Sequence, residues 1–222
     1  MRNRFEEQLE ELHVELTGMG ALCEKAIGNT YRVLMEEDRF AAREIINTDN
    51  EIDQAEREIE NLCLKLLLKQ QPVARDLRKI SAALKMITDM ERIGDQAADI
   101  AEIVDTAKLK APGEEIPLKQ MAEATMRMVT ESIDAYVKQD LSIARKVIGD
   151  DDIIDELFVR TREKLTDFME KKAIRADYAM DLLMVAKYYE RIGDHATNIA
   201  EWVEFSITGV HKEALDGRET RT

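Results

Sequence analysis

Residues 91–102 read ERIGDQAADIAE, and residues 190–201 read ERIGDHATNIAE. Nine of the twelve positions are identical at an offset of 99. Further upstream the offset is 102: Met19 matches Met121, Asp38 matches Asp140, and Ala42-Arg43 matches Ala144-Arg145. Asp49 and Asp53 match Asp151 and Asp155 in the same way. The chain therefore consists of two copies of one unit, and the fold of the unit decides the fold of the whole. The extra three residues of the first copy are expected in the turn near Gln70-Gln71-Pro72. The copies meet at Lys110-Ala111-Pro112-Gly113-Glu114-Glu115-Ile116-Pro117, so the expected units are 1–110 and 118–222.

Each unit reads as three helices. Phe5, Leu9, Leu12, Leu16, Met19, Cys23, Ala26, Thr30 and Leu34 alternate steps of four and three, a helical apolar stripe of the coiled-coil type. A second helix is expected from about Ala41 to Lys69, with Ile45, Ile52, Ile59, Leu62 and Leu66 inward, and a third from about Ala74 to Lys108. The second copy gives Leu118–Asp140, Ser142–Lys171 and Arg175–Thr208, with a polar tail after Gly209 that is expected to fray. All three prolines fall in connections, where a missing N–H does least harm. Helices of this length joined by short links run antiparallel. The expected architecture is all-α: two tandem, similar three-helix bundles packed side by side.

Composition agrees. Of 222 residues, 35% are charged and 5% aromatic, with only 9 Gly and 3 Pro, too few turn residues for an all-β fold. The 45% of hydrophobic residues suffices for a core. A net charge of −14 repels phosphate backbones and argues against nucleic acid as a partner. No apolar run approaches the ~18 residues of a membrane span. The N-terminus turns acidic at Glu6-Glu7 and lacks a secretory apolar region, so a cytoplasmic location without membrane insertion is expected. Cys23 and Cys63 form no CxxC pair and read as buried, reduced thiols.

The acids break the helical pattern. On the third helix Leu77, Leu84, Glu91 and Ala98 share one heptad line, and Glu91, Asp95 and Glu102 fall within about 40° of one another. Asp99 lies at the edge of that face. In the second copy Glu190, Asp194 and Glu201 cluster below Leu183, with Asn198 at the edge. On the second helix Asp49, Asp53, Glu56 and Glu60 share a face; Asp151 and Asp155 recur, whereas Phe158 and Arg162 replace the other two. Like charges at i,i+4 repel by a few tenths of a kcal/mol each, and a desolvated carboxylate prefers to take a proton. Bound cations offset both effects, and an all-oxygen donor set selects hard ions such as Mg²⁺, Mn²⁺, Ca²⁺ or ferric iron. Gly94 and Gly193, in mid-helix at about 1 kcal/mol against Ala, point to close helix approach beside the acids.

Other readings stay open on the residues alone: a multinuclear carboxylate enzyme, hydrolase or oxidase, or a metal-free scaffold whose acids are merely solvated. No phosphate loop, nucleophile elbow or zinc spacing is present. Glu10-x-x-His13 is half of a di-iron motif without a second half; His195 corresponds to Gln96, and His211 lies in the tail.

Three elements together resemble the PhoU family: Gln71-Pro72-x-x-x-Asp76-Leu77-Arg78 and the ERIGD segments Glu91–Asp95 and Glu190–Asp194. The resemblance covers nearly the whole chain. It implies two packed three-helix bundles and a metal cluster on the surface of each. Iron or zinc is the expected occupant, with magnesium or manganese as alternatives. The positions implied as ligands are Glu91, Asp95, Glu190 and Asp194, with Asp49, Asp53, Asp151 and Asp155 from the neighbouring helix; Asp99 and Asn198 extend the line. It also implies a non-enzymatic regulator that restrains phosphate uptake and phosphate-starvation signalling by contacting the transporter's ATPase subunit and a membrane sensor kinase. The long apolar stripes lead to the further expectation of a homodimer.

Overall fold

The structure, a computed structural model, describes residues 2–36, 39–70, 72–110, 113 and 115–210. Six helices follow one another: α1 (Arg2–Glu36), α2 (Arg39–Gln70), α3 (Ala74–Ala107), α4 (Leu118–Lys138), α5 (Leu141–Glu170) and α6 (Ala176–Thr208). No strand occurs among the described residues. His211 and the polar tail around it lie outside them.

The stripes fold as the spacing predicts. Leu12, Leu16, Met19, Cys23, Ala26, Thr30 and Leu34 of α1 are buried, as are Ile45, Ile52, Ile59, Leu62 and Leu66 of α2. Each large apolar side chain removed from water contributes roughly 1.5–3 kcal/mol. Both thiols are buried and unpaired with each other, and burial pushes each up to about 12. Helices α1–α3 form one bundle and α4–α6 the other. The bundles join through α3 against α6 and α1 against α4, which leaves α2 and α5 on the outside.

Two sequence expectations are corrected. The helix expected over Leu118–Asp140 stops at Lys138, where Gln139 turns into the left-handed region (φ 53°). Asp140 instead caps α5, its Oδ1 accepting from the Ser142 and Ile143 amides at 2.8 and 3.3 Å. The three-residue surplus of the first copy is not in the turn. Helix α2 runs to Gln70 and α3 starts at Ala74, where the second copy's helices end at Glu170 and start at Ala176, so the surplus lies in the helix ends on either side; Gln71 itself lies outside the described residues.

The α3–α6 pair sets the site. The two helices run antiparallel. The Lys110 amide, just beyond α3, donates to the Tyr178 hydroxyl near the start of α6 (3.0 Å), while Arg78 near the start of α3 packs on Gly209 after α6. Both ERIGD segments therefore come to the middle of the pair. There the copies exchange matching contacts: Asn198 donates to Asp89 (3.2 Å), and Tyr188 reaches Asp99. These are the same two positions with the copies reversed, as a pseudo-twofold requires. Away from the acids, the buried Thr30 and Tyr189 hydroxyls meet at 2.7 Å and tie α1 to α6.

Candidate metal centre

The acids do not replace core residues. Ile80, Ala83, Met90, Ile93, Ala97 and Ile100 of α3 fill the core, whereas Leu77 is 44% exposed and Leu84 half-buried. The heptad line Leu77–Leu84–Glu91–Ala98 thus runs along the rim of a groove between α2 and α3. Its carboxylates are at the surface, partly desolvated by the helix opposite.

Gly94 sets how closely the helices approach. A β-carbon there would lie 2.9 Å from Asp49 Oδ1 and 3.0 Å from Ile52 Cδ1. Without it, Ile52 packs fully buried on the α3 backbone, and the Asp49 carboxylate is drawn in beside it. Asp49 Oδ1 is buried and has no hydrogen-bond partner. Burial, then the charges of Asp95, Asp53 and Asp99, push the Asp49 carboxyl up to about 6. Asp95 and Glu91 are also raised, first by burial and then by neighbouring carboxylates: Asp53 and Asp99 act on Asp95, and Asp95, Glu56 and Asp53 on Glu91. Acids from two helices therefore feel one another across the groove.

Among the described residues, no group of three or more carboxylate, imidazole or thiol side chains is arranged to hold a metal ion. The donor chemistry nonetheless fits a hard cation. It is all oxygen, it comes from one-turn pairs on facing helices, and it includes a buried carboxylate oxygen lacking a donor.

In the second copy Gly193 plays the same part. A β-carbon there would meet Ile154, the counterpart of Ile52, at 3.3 Å. Asp151 lies opposite but is satisfied: Thr197 donates to its Oδ1 at 3.1 Å. Burial raises the Asp151 carboxyl, with that hydrogen bond opposing and Asp155 adding. Asp194 is raised by burial, Glu190 and Asp151, with Lys187 opposing. Asp155 is exposed, and Asn198 turns to Asp89 of the other copy.

A cleft of about 840 Å³ between α3 and α6 is lined by Glu91, Arg92 and Asp95 on one side and Arg191, Asp194 and His195 on the other; Asp49, Asp53, Asp151, Asp155 and Glu190 do not line it. His195 Nδ1 lies 2.8 Å from Asp89 Oδ1 and joins the copies. Glu102, expected in the acid set, lies further along the α2–α3 groove in a separate hollow of about 470 Å³ with Arg43 and Asp105. His13 packs edge-to-face on Tyr136 at 5.7 Å, 3.8 Å from Glu10, in the α1–α4 interface and remote from the acids. Lys187, Thr197 and Asp89 were not singled out by the sequence reading. Comparing Thr88 with Lys187 and Ala98 with Thr197 at the same offset is the signal that finds the first two.

These features define a class: a duplicated helical-bundle protein with an acid-lined groove on each copy. A family model described as "PhoU domain" matches twice, at residues 16–104 and 118–203, once per bundle. A Clostridium acetobutylicum protein named phosphate-specific transport system accessory protein PhoU homolog is 39% identical over 97% of this chain and 99% of its own length. The crystal structure of PhoU from Pseudomonas aeruginosa superposes with a TM-score of 0.86 at 30% identity, covering 93% of this chain and 100% of that one. The phosphate transport system regulatory protein PhoU from Streptococcus pneumoniae gives a TM-score of 0.84 at 28% identity, with coverage of 93% and 98%. The chain belongs to the PhoU family. None of its described helices is long and apolar enough to cross a membrane.

Proposed function

We propose that this chain is a metal-binding accessory regulator of phosphate uptake and phosphate-starvation signalling, acting as a cytoplasmic adaptor rather than an enzyme. Family membership supports the phosphate-transport role, since the relatives carry it in their names. The observation that carries the metal-binding part is the buried, unpartnered Asp49 Oδ1 amid Asp53, Asp95 and Asp99.

In this reading Asp49, Asp53, Glu91 and Asp95, with Asp99 at the edge, hold metal in the first groove. Asp151, Asp155, Glu190 and Asp194 hold it in the second. The metal, iron or zinc first and magnesium or manganese next, supplies positive charge able to take phosphate oxygens or a partner's carboxylates. The chain's own residues fix the donors at the required spacing: Gly94 and Gly193 bring the helices together, and the core beneath keeps them there. Neutralising a groove changes the surface offered to the transporter's ATPase subunit and to the membrane sensor kinase. The chain acts as a homodimer.

The test has three parts. Metal analysis of the purified protein, compared with Asp95→Ala/Asp194→Ala, is expected to show loss of metal in the double variant; unchanged content excludes these positions as principal ligands. Affinity for the ATPase subunit and the kinase is expected to fall on chelation with folding retained, and equal affinities rule out the metal-gated adaptor. Sedimentation at micromolar concentration reads the dimer.

A further inference from the structure

We infer that the two grooves are unequal: the first copy's groove is the tight metal site, and in the second the Lys187 ammonium serves as a built-in counter-ion that competes with the metal. The inference rests on the metal-holding reading above and adds to it which copy responds to metal.

The argument is positional. The differences at the groove-facing positions mostly remove negative charge from the second or supply its own partner; against them run Arg57, 4.0 Å from Asp53, which is Val159 in the second copy, and Asn50, which is Asp152. Thr88 of the first copy corresponds to Lys187, whose Nζ bonds Glu190 Oε2. Glu56 corresponds to Phe158, and the Lys187 ammonium lies 5.5 Å from the centre of that ring. It is thus held between an aromatic face and a carboxylate only 14% exposed. Glu60 corresponds to Arg162 and Asp99 to Asn198. Ala98 corresponds to Thr197, which satisfies Asp151 Oδ1, whereas the equivalent oxygen of Asp49 has no donor. In the first groove Thr88 offers only a hydroxyl, spent on Glu56. A cation entering the first groove therefore relieves repulsion among carboxylates. In the second it must first separate Lys187 from Glu190, a charge-assisted hydrogen bond of the stronger kind. The consequence is a molecule with one face whose charge follows metal supply and a second whose charge stays nearly fixed, so that partner contacts on the two copies respond differently to metal.

The experiment uses the full chain stripped with chelator and titrated with Mn²⁺, free ion read by electron paramagnetic resonance and folding by circular dichroism. Two classes of site are expected in the wild type. Asp95→Asn is expected to remove the tight class and Asp194→Asn the weak one. Lys187→Thr, which installs the first copy's residue, is expected to tighten the weak class by about tenfold and leave the tight one alone. Lys187→Gln keeps the stem over Phe158 while removing the charge. It is expected to do the same, and it stands in if the shorter side chain unfolds the helix. The inference is overturned if neither Lys187 variant changes the weak class, if the wild-type classes have equal affinity, or if Asp194→Asn removes the tight class. No Mn²⁺ binding by the folded wild type overturns the metal-holding reading as well, so the two failures are distinguishable.

Discussion

The Asp49 carboxylate oxygen stands 2.9 Å from the point where a β-carbon on Gly94 would lie. One missing methyl group thus links helix packing to the charge of the groove. Gly94→Ala places that methyl against Asp49 Oδ1 and the Ile52 terminus. It also regains about 1 kcal/mol of helix propensity. These effects oppose each other in stability, so the melting temperature is expected to change little. The ligand geometry has no such compensation. Metal affinity of the first groove is expected to fall about tenfold or more, for a carboxylate displaced by several tenths of an ångström. Gly193→Ala, which meets Ile154 of the other copy rather than Asp49, is expected to leave the metal affinity of the first groove unchanged. Mn²⁺ titration beside thermal melts checks both.

Asp49 titrates near 6 in the folded chain against an ordinary 3.8. The native state then holds a proton more tightly than the unfolded chain, so this carboxyl disfavours folding once ionised. In metal-free protein its penalty is absent below about pH 4, grows as pH rises towards 6 and is complete above. Asp49→Asn is expected to be the more stable protein at pH 7, by on the order of 1 kcal/mol after allowance for solvent screening at a half-exposed site, and to match the wild type near pH 4. Urea unfolding with chelator present at the two pH values measures it. A wild type more stable than the variant at pH 7 would refute the assignment. With metal present the sign reverses, because protons compete with the ion for this carboxylate.

The Thr30 hydroxyl donates to the Ile27 carbonyl at 2.6 Å, so the Tyr189 hydroxyl must be the donor in the 2.7 Å bond between them. The two substitutions are therefore unequal. Tyr189→Phe leaves one lone pair of Thr30 unused and is expected to cost about 1 kcal/mol. Thr30→Val strands a buried phenolic donor and is expected to cost about 1–3 kcal/mol. The double variant, which buries no unmet donor, should lie nearer the phenylalanine variant than the sum. Denaturant unfolding of the four proteins gives the coupling directly.

The helices and the duplication were legible because both are written in short periods. The steps from Leu12 to Leu34 fix α1, and ERIGD at 91 and 190 fixes the register of the copies. The acid set was legible as well, but its placement was not. A heptad line shared with Leu77 and Leu84 reads as core, and only the docking of α2 on α3 reveals it as a rim. The Asp89–His195 contact was beyond reach, because it depends on the register in which α3 meets α6, and no periodicity within either helix encodes that. Lys187 was hidden for another reason. Attention to what the copies share passes over what they do not, and its meaning lies in its difference from Thr88.

Metal should act on stability as well as charge. The donors come from α2 and α3, which are brought together only by folding, so the unfolded chain offers the ion no comparable site. Ligation of the native state alone stabilises by RT ln(1 + [L]/Kd), about 2.7 kcal/mol at a hundredfold excess over Kd. For a chain of this size that corresponds to an upward shift of roughly 5–10 °C. Chelator should reverse it. Asp95→Ala/Asp194→Ala should abolish the shift without lowering the metal-free melting temperature, because removing a like charge from each groove relieves repulsion that the metal otherwise offsets. A double variant that melts well below the chelated wild type would mean instead that these carboxylates hold the helices together through partners of their own, and the grooves would then be structural.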